Sequence, residues 1–162
     1  MKKNKFKKIA QEVILSEINS LRKLKSSIDK SFNKVIEAII NCKKGKIILS
    51  GVGKSGIIAR KISSTLSSVG TPSFFVDPSS CSHGDLGQIS SSDVLILISN
   101  SGESAELKNL IQYANRNKNI SLIGIVSKKN SLLYKNSDVK ILLPEVKEAG
   151  PGNIVPTSST IM

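Results

Sequence analysis

Ser99-Asn100-Ser101-Gly102-Glu103-Ser104 places three hydroxyls, a side-chain amide and a glycine behind the apolar run Val94-Leu95-Ile96-Leu97-Ile98 and ahead of a segment with helical spacing. A strand that delivers such a set onto the first turn of a helix is an anion holder. Free backbone N–H groups and the positive end of the helix favour a phosphate, and the side chains add donors. The plainer reading is a helix cap, which Asn100 or Ser101 would supply alone. Serines at 99, 101 and 104 are more than a cap requires. A second glycine loop, Gly51-Val52-Gly53-Lys54-Ser55-Gly56, also follows an apolar run and opens a helical pattern. It is too short for the nucleotide-binding pattern G-x-x-x-x-G-K-[ST]. Its Gly-x-Gly lets the backbone turn tightly and approach a ligand, and Lys54 and Ser55 add a cation and a hydroxyl at the helix start. A purely structural turn is the alternative.

Three further residues could move protons. His83, the one histidine, lies in Ser82-His83-Gly84-Asp85-Leu86-Gly87, which reads as a glycine-flanked loop between strands with an acid nearby. Glu106 sits one turn into the helix behind the serine-rich loop. It either points back toward the same crevice or is an acid favoured there by the helix dipole. Glu148, in Lys147-Glu148-Ala149-Gly150, follows the last strand, where ligands gather in open parallel sheets; a solvated loop acid is the alternative.

These residues need elements to position them. Lys46–Leu49, Pro72–Val76, Asp93–Ile98, Leu122–Val126 and Val139–Leu143 read as five short apolar strands. Ser55–Val69, Ala105–Arg116 and a short stretch around Leu132–Tyr134 read as the helices between them. Strands apolar on both faces and separated by helices predict an α/β fold, with a parallel five-stranded sheet covered on both sides. Residues 6 to about 42 carry apolar side chains three and four apart, an amphipathic arm with a break near Ser26-Ser27 and a stop at Gly45. Pro144–Pro156 is rich in glycine and proline and reads as a loop. Pro156-Thr157-Ser158-Ser159-Thr160 then reads as the cap and first turn of another helix.

Composition narrows the function. The 162 residues suffice for one domain with a sizeable core, and the 39% hydrophobic content fits a globular chain. The net charge of +12 raises the question of nucleic acid. The basic residues are scattered lysines, and aromatics are too few for a base-stacking platform, so nucleic acid is not expected. No apolar run reaches the length of a membrane span, and the lysine-rich start lacks the continuous apolar core of a signal peptide. Cys42 and Cys81 lack metal-ligand spacing and read as free thiols of a reducing cytoplasm.

Several of these stretches together resemble the sugar isomerase (SIS) domain of the arabinose-5-phosphate isomerase family. They are the Gly51–Gly56 loop, Gly70-Thr71-Pro72-Ser73-Phe74-Phe75-Val76, His83-Gly84-Asp85-Leu86-Gly87, the Ser99–Ser104 loop, Lys147-Glu148-Ala149 and Pro156-Thr157-Ser158-Ser159-Thr160. The resemblance implies an SIS-type αβα sandwich over residues 45–162, with residues 1–44 as a helical arm of the same domain. It implies interconversion of D-ribulose 5-phosphate and D-arabinose 5-phosphate through an enediolate, toward the 3-deoxy-D-manno-octulosonate of lipopolysaccharide or capsule. It also implies a cytoplasmic homo-oligomer, dimer or tetramer, that takes a sugar phosphate and needs no cofactor or metal. Carried over by motif, Gly53, Ser55, Ser99, Asn100, Ser101 and Ser104 bind the phosphate, with Thr157, Ser158 and Ser159 as neighbours. Lys54, Glu106 and Glu148 match positions regarded in the family as catalytic, and His83, a further catalytic candidate, matches a family histidine at or near the site. A carboxylate suits proton transfer if burial raises its pKa, and Lys54 suits the oxyanion.

This sequence departs from the family in its last part. Members continue through the helix announced at Thr157 and then carry a histidine in a Ser-His-Pro-Gly-Gly segment. Many add a pair of cystathionine-β-synthase (CBS) domains. The expectation is therefore an SIS domain without its last helix and without CBS domains, whose activity depends on the absent segment. The alternative function is a non-catalytic module that binds a sugar phosphate.

Overall fold

The protein was analysed as a computed structural model that describes residues 2–162. The chain forms two compact bodies, Asp29–Leu142 and a second made of Met1–Ile28 with Leu143–Met162.

In the larger body, five strands form one parallel sheet in the order β2-β1-β3-β4-β5. They are β1 (Ile47–Gly51), β2 (Ser73–Phe75), β3 (Val94–Ile98), β4 (Ser121–Val126) and β5 (Val139–Leu142). Alternate residues supply two cores. Ile48, Leu95, Leu97 and Leu122 pack with Leu110, Ile111 and Ala114 of α4 (Lys108–Arg116) and with Leu133 of α5 (Leu132–Asn136). Ile47, Leu49, Val94, Ile96 and Ile123 pack with Val35 of α2 (Lys30–Asn41) and Ala59 of α3 (Lys54–Ser68). The expected α/β sandwich is thus present, with both faces of the sheet covered, and the continuous apolar runs reflect that double burial.

At the start of β1 and β3 a buried carboxylate joins the strands. Asp93 accepts the Lys46 and Ser90 amides at 2.8 and 2.7 Å and lies 3.4 Å from the Lys46 ammonium. Burial pushes the Asp93 carboxyl up, but the Ser90 and Lys46 amides and the Lys46 charge outweigh it and lower the pKa. Gly45 is not the helix stop that its position suggests. α2 ends at Asn41, and Cys42 returns its amide to the Ile39 carbonyl. Gly45 is needed for close approach instead, because a Cβ there would lie 1.9 Å from the Ser92 carbonyl oxygen.

The expected break in the arm is real: α1 (Lys2–Ser27) ends just before Asp29, whose side chain caps α2 by accepting the Ser31 amide at 2.8 Å. In the smaller body α1 packs against α6 (Ser158–Ile161), the helix turn read from Pro156–Thr160.

Candidate active site

The strand order places β2 on one side of β1 and β3 on the other, so the chain reverses its direction of progress across the sheet between β1 and β3. Open parallel sheets bind ligands beyond the C-terminal ends of their strands at such a switch point. Gly51 and Ile98, the last residues of β1 and β3, are paired neighbours. The Gly51–Gly56 and Ser99–Ser104 loops therefore leave the sheet side by side.

The first loop is open. Its glycines stand at G-x-G-x-x-G spacing, a signal that finds residues beyond the Gly53 position chosen above. Gly53 has φ 58° and ψ −126°, a backbone state nearly closed to other residues, and precedes α3 without a side-chain cap. Gly56 lets the helix reach the strand, since a Cβ there would stand 2.6 Å from the Gly51 carbonyl oxygen. The helical ladder begins with the Gly56 and Ile57 amides, which donate to the Val52 and Gly53 carbonyls. The earlier amides, of Lys54 and Ser55, are left for an anion at the positive end of a 15-residue helix. Lys54 is exposed and Ser55 half-buried.

The second loop is closed on itself. Ser99 is 3% exposed, and its hydroxyl accepts the Gly102 amide at 3.0 Å and shares a 3.1 Å hydrogen bond with the Ser104 hydroxyl. Ser101 Oγ accepts the Glu103 amide at 3.2 Å, and Asn100 Oδ1 accepts the Ser127 hydroxyl at 2.6 Å. Glu103 Oε1 accepts the Leu132 amide at 2.7 Å, which ties the loop to the start of α5. Gly102 has φ 68°, and a Cβ there would lie 2.2 Å from Ser131 Oγ.

The helix expected over Ala105–Arg116 is present in extent, and only the form of its first turn differs. The helical run begins at Ala105 as a tight 3₁₀ turn and becomes α-helical at Lys108, and Ser104 at its cap makes no side-chain cap bond. The Ser99 and Ser101 oxygens instead accept amides of their own turn, and the Ser104 hydroxyl pairs with that of Ser99. Glu106 lies in the 3₁₀ turn and is exposed.

His83 ends a 3₁₀ turn, Ser80–His83, and Asp85–Gln88 forms a second one. The segment read as a plain loop is therefore ordered turn by turn. Asp77 organises it, accepting the Ser79 amide with Oδ1 and the Ser80 amide with its carbonyl. Its carboxylate also meets Arg60 of α3 at 3.6 Å, while the Arg60 guanidinium lies 3.8 Å from the Phe75 ring centre. His83 is exposed and Cys81 is buried in the core. Burial, with the nearby Asp85 and Asp77 charges, pushes the Cys81 thiol up to about 11, so it stays protonated at neutral pH.

Glu148, Thr157, Ser158 and Ser159 converge in the smaller body. Glu148 Oε2 accepts the Thr157 amide at 2.6 Å, the Thr157 hydroxyl at 3.1 Å and the Ser159 amide at 3.3 Å. The turn read from Pro156–Thr160 is present with Thr157 at the cap position, but it is the Glu148 carboxylate that accepts the first amides of α6. Thr157 Oγ1 accepts the Ala149 amide at 2.7 Å instead. Burial raises the Glu148 pKa, but the Ser159 hydroxyl, the Thr157 and Ser159 amides and the Thr157 hydroxyl outweigh it, and the net shift is downward. A carboxyl raised by burial, the condition set above for proton transfer, is therefore not what Glu148 presents. Ser158 is fully buried, and its hydroxyl has no hydrogen-bond partner among the described residues.

The described residues hold no group of three or more His, Cys, Asp or Glu that could take a metal ion, and no helix among them is long and apolar enough to cross a membrane.

The sequence pattern of the SIS domain matches residues 39–162. The chain is 46% identical to arabinose 5-phosphate isomerase KdsD of Francisella tularensis over 153 residues, which are 93% of this chain and 46% of that protein. Against arabinose 5-phosphate isomerase KpsF of Escherichia coli O6:H1 it is 42% identical over 153 residues, 94% of this chain and 46% of the relative. The chain spans about half the length of the curated relatives it matches. Among solved structures, E. coli CFT073 c3406 in complex with arabinose 5-phosphate superposes with a TM-score of 0.92 at 34% identity, covering 99% of this chain and 85% of that one.

Proposed function

This chain belongs to the SIS domain family, and from that premise we propose that it interconverts D-arabinose 5-phosphate and D-ribulose 5-phosphate. The observation that carries the reading is the pairing of the Gly51–Gly56 and Ser99–Ser104 loops at the switch point, with an uncapped helix N-terminus and Lys54 on one of them. The relatives named arabinose 5-phosphate isomerase and the neighbour solved with that sugar phosphate support this choice of sugar.

In this reading the 5-phosphate rests on the Lys54 and Ser55 amides and on the Ser55, Ser101 and Ser104 hydroxyls. Gly53 clears space, while Ser99 and Asn100 shape the second loop. Thr157, Ser158 and Ser159 are further phosphate neighbours by motif. Isomerisation removes the C2 proton of the open aldose to form an enediolate. A proton is then delivered to C1 while another moves from O2 to O1, with no net gain of atoms or electrons. His83, Glu106 and Glu148 are the proton carriers, and the Lys54 ammonium stabilises the oxyanion. The reading extends to an SIS domain over 45–162 with 1–44 as its arm, acting as a cytoplasmic homo-oligomer in octulosonate synthesis.

Incubating the purified chain with D-ribulose 5-phosphate in D₂O tests this. Formation of D-arabinose 5-phosphate with deuterium at C2 is expected. Binding of the sugar phosphate without turnover or exchange would leave a ligand-binding module, and absence of binding would remove the sugar-phosphate reading.

A further inference from the structure

One long-range hydrogen bond joins the two segments that carry His83 and Glu106. Asn109 Nδ2 donates to Ser82 Oγ at 2.7 Å, between residues 27 apart in sequence. Ser82 is the neighbour of His83 in the 3₁₀ turn Ser80–His83. Asn109 lies in α4, one turn past Glu106 in the same helical run. The beginning of the Ser80–His83 turn is held by other means, since Cys81 is buried in the core and Asp77 accepts the Ser79 and Ser80 amides. His83 itself is exposed, and the Gly84 amide closes the turn on the Ser80 carbonyl, while the Ser82 hydroxyl joins the end that bears the imidazole to α4.

We propose that Asn109 is a positioning residue, whose bond to Ser82 fixes the His83 turn against the Glu106 turn so that both reach one substrate. This rests on the isomerase reading, in which both residues carry protons. Ser82 and Asn109 are exposed, so their bond replaces bonds to water and adds little to folding stability. Its effect falls on geometry, where small displacements of a proton carrier lower the rate.

The test uses Asn109→Ala, Ser82→Ala, the double variant and the conservative Ser82→Thr in the full chain. Each alanine variant is expected to lower kcat about five- to tenfold with KM within about twofold, and the double variant no further than the singles. Ser82→Thr, which keeps the hydroxyl, is expected to retain the rate. The chain has one histidine, so its imidazole NMR signals report the turn directly. Those signals should shift alike in both alanine variants. An unchanged kcat, losses that multiply in the double variant, or unmoved imidazole signals would overturn the proposal. If the parent chain does not turn over ribulose 5-phosphate, the isomerase reading fails by itself. The imidazole signals then decide the tether alone: a common shift upholds it and unmoved signals overturn it.

Discussion

The two loops at the switch point leave neighbouring strand ends and use their polar groups in opposite ways. Gly51–Gly56 has one hydroxyl and one ammonium, yet its helix N-terminus is uncapped and its first amides are open. Ser99–Ser104 has three hydroxyls, an amide and a carboxylate, and much of that capacity is taken up within the loop or in bonds to Ser127 and Leu132. The number of polar side chains in a loop is therefore a poor measure of what it offers a ligand. A glycine loop on a long helix leaves its amides available, whereas a serine-rich loop spends hydroxyls on holding its own shape.

The largest expected effect sets rigidity against openness. Gly102→Ala adds a Cβ at a left-handed position where it meets Ser131 Oγ at 2.2 Å, and should destabilise the fold by about 3 kcal/mol or more. Gly53→Ala enters open space and carries only the backbone strain, about 1–3 kcal/mol. Denaturant unfolding of both compares them, and equal losses would break the contrast.

Next in size is the functional asymmetry. Lys54→Ala should lower kcat about a hundredfold without moving the unfolding midpoint, as loss of an oxyanion donor does. Glu103→Gln, in the closed loop, should leave kcat within about twofold because its carboxylate serves the Leu132 amide. Steady-state kinetics on the two variants would show whether the open loop carries the chemistry.

A finer cut compares one serine from each loop. Ser99→Ala removes a buried hydroxyl that bonds the Gly102 amide and the Ser104 hydroxyl, while the Ser99 carbonyl still accepts that amide, and should cost about 1 kcal/mol in chemical denaturation. Ser55→Ala should instead raise KM about tenfold and leave stability unchanged, since a charge-assisted phosphate bond is what it would lose.

The smallest effect belongs to the opposite end of the same strands. The Asp93 pKa is lowered in the folded chain, so its contribution is fully present above the ordinary carboxylate value of about 4 and is lost as pH falls through the lowered value. Between pH 7 and 3 the parent should lose more stability than Asp93→Asn, which starts lower and responds less. Parallel curves would show that Asp93 contributes nothing to the β1–β3 pair.

Much of this was readable from local pattern. The five strands, the helices between them and the break in the arm follow from apolar spacing, and the motifs at Gly51, His83, Ser99, Lys147 and Pro156 indicate the family. Misreadings arose where a partner lies far along the chain. Gly45 has the look of a helix stop, but the Ser92 carbonyl is what excludes a side chain there. The turn at Pro156–Thr160 was legible, but nothing local marks Glu148 as the acceptor of its amides, which lower the Glu148 pKa. Glu103 gave no local sign that it caps α5.

The sequence by itself determined which segments become strands and helices, because propensity and apolar period act between near neighbours. It also supplied the candidates proposed above to hold a phosphate or carry a proton. Tertiary structure alone decided that β1 and β3 lie side by side, which makes two distant loops one candidate site. It also decided which hydroxyls remain open and which are used up, because a hydrogen bond depends on distance in space and a partner 27 residues away leaves no trace in local spacing.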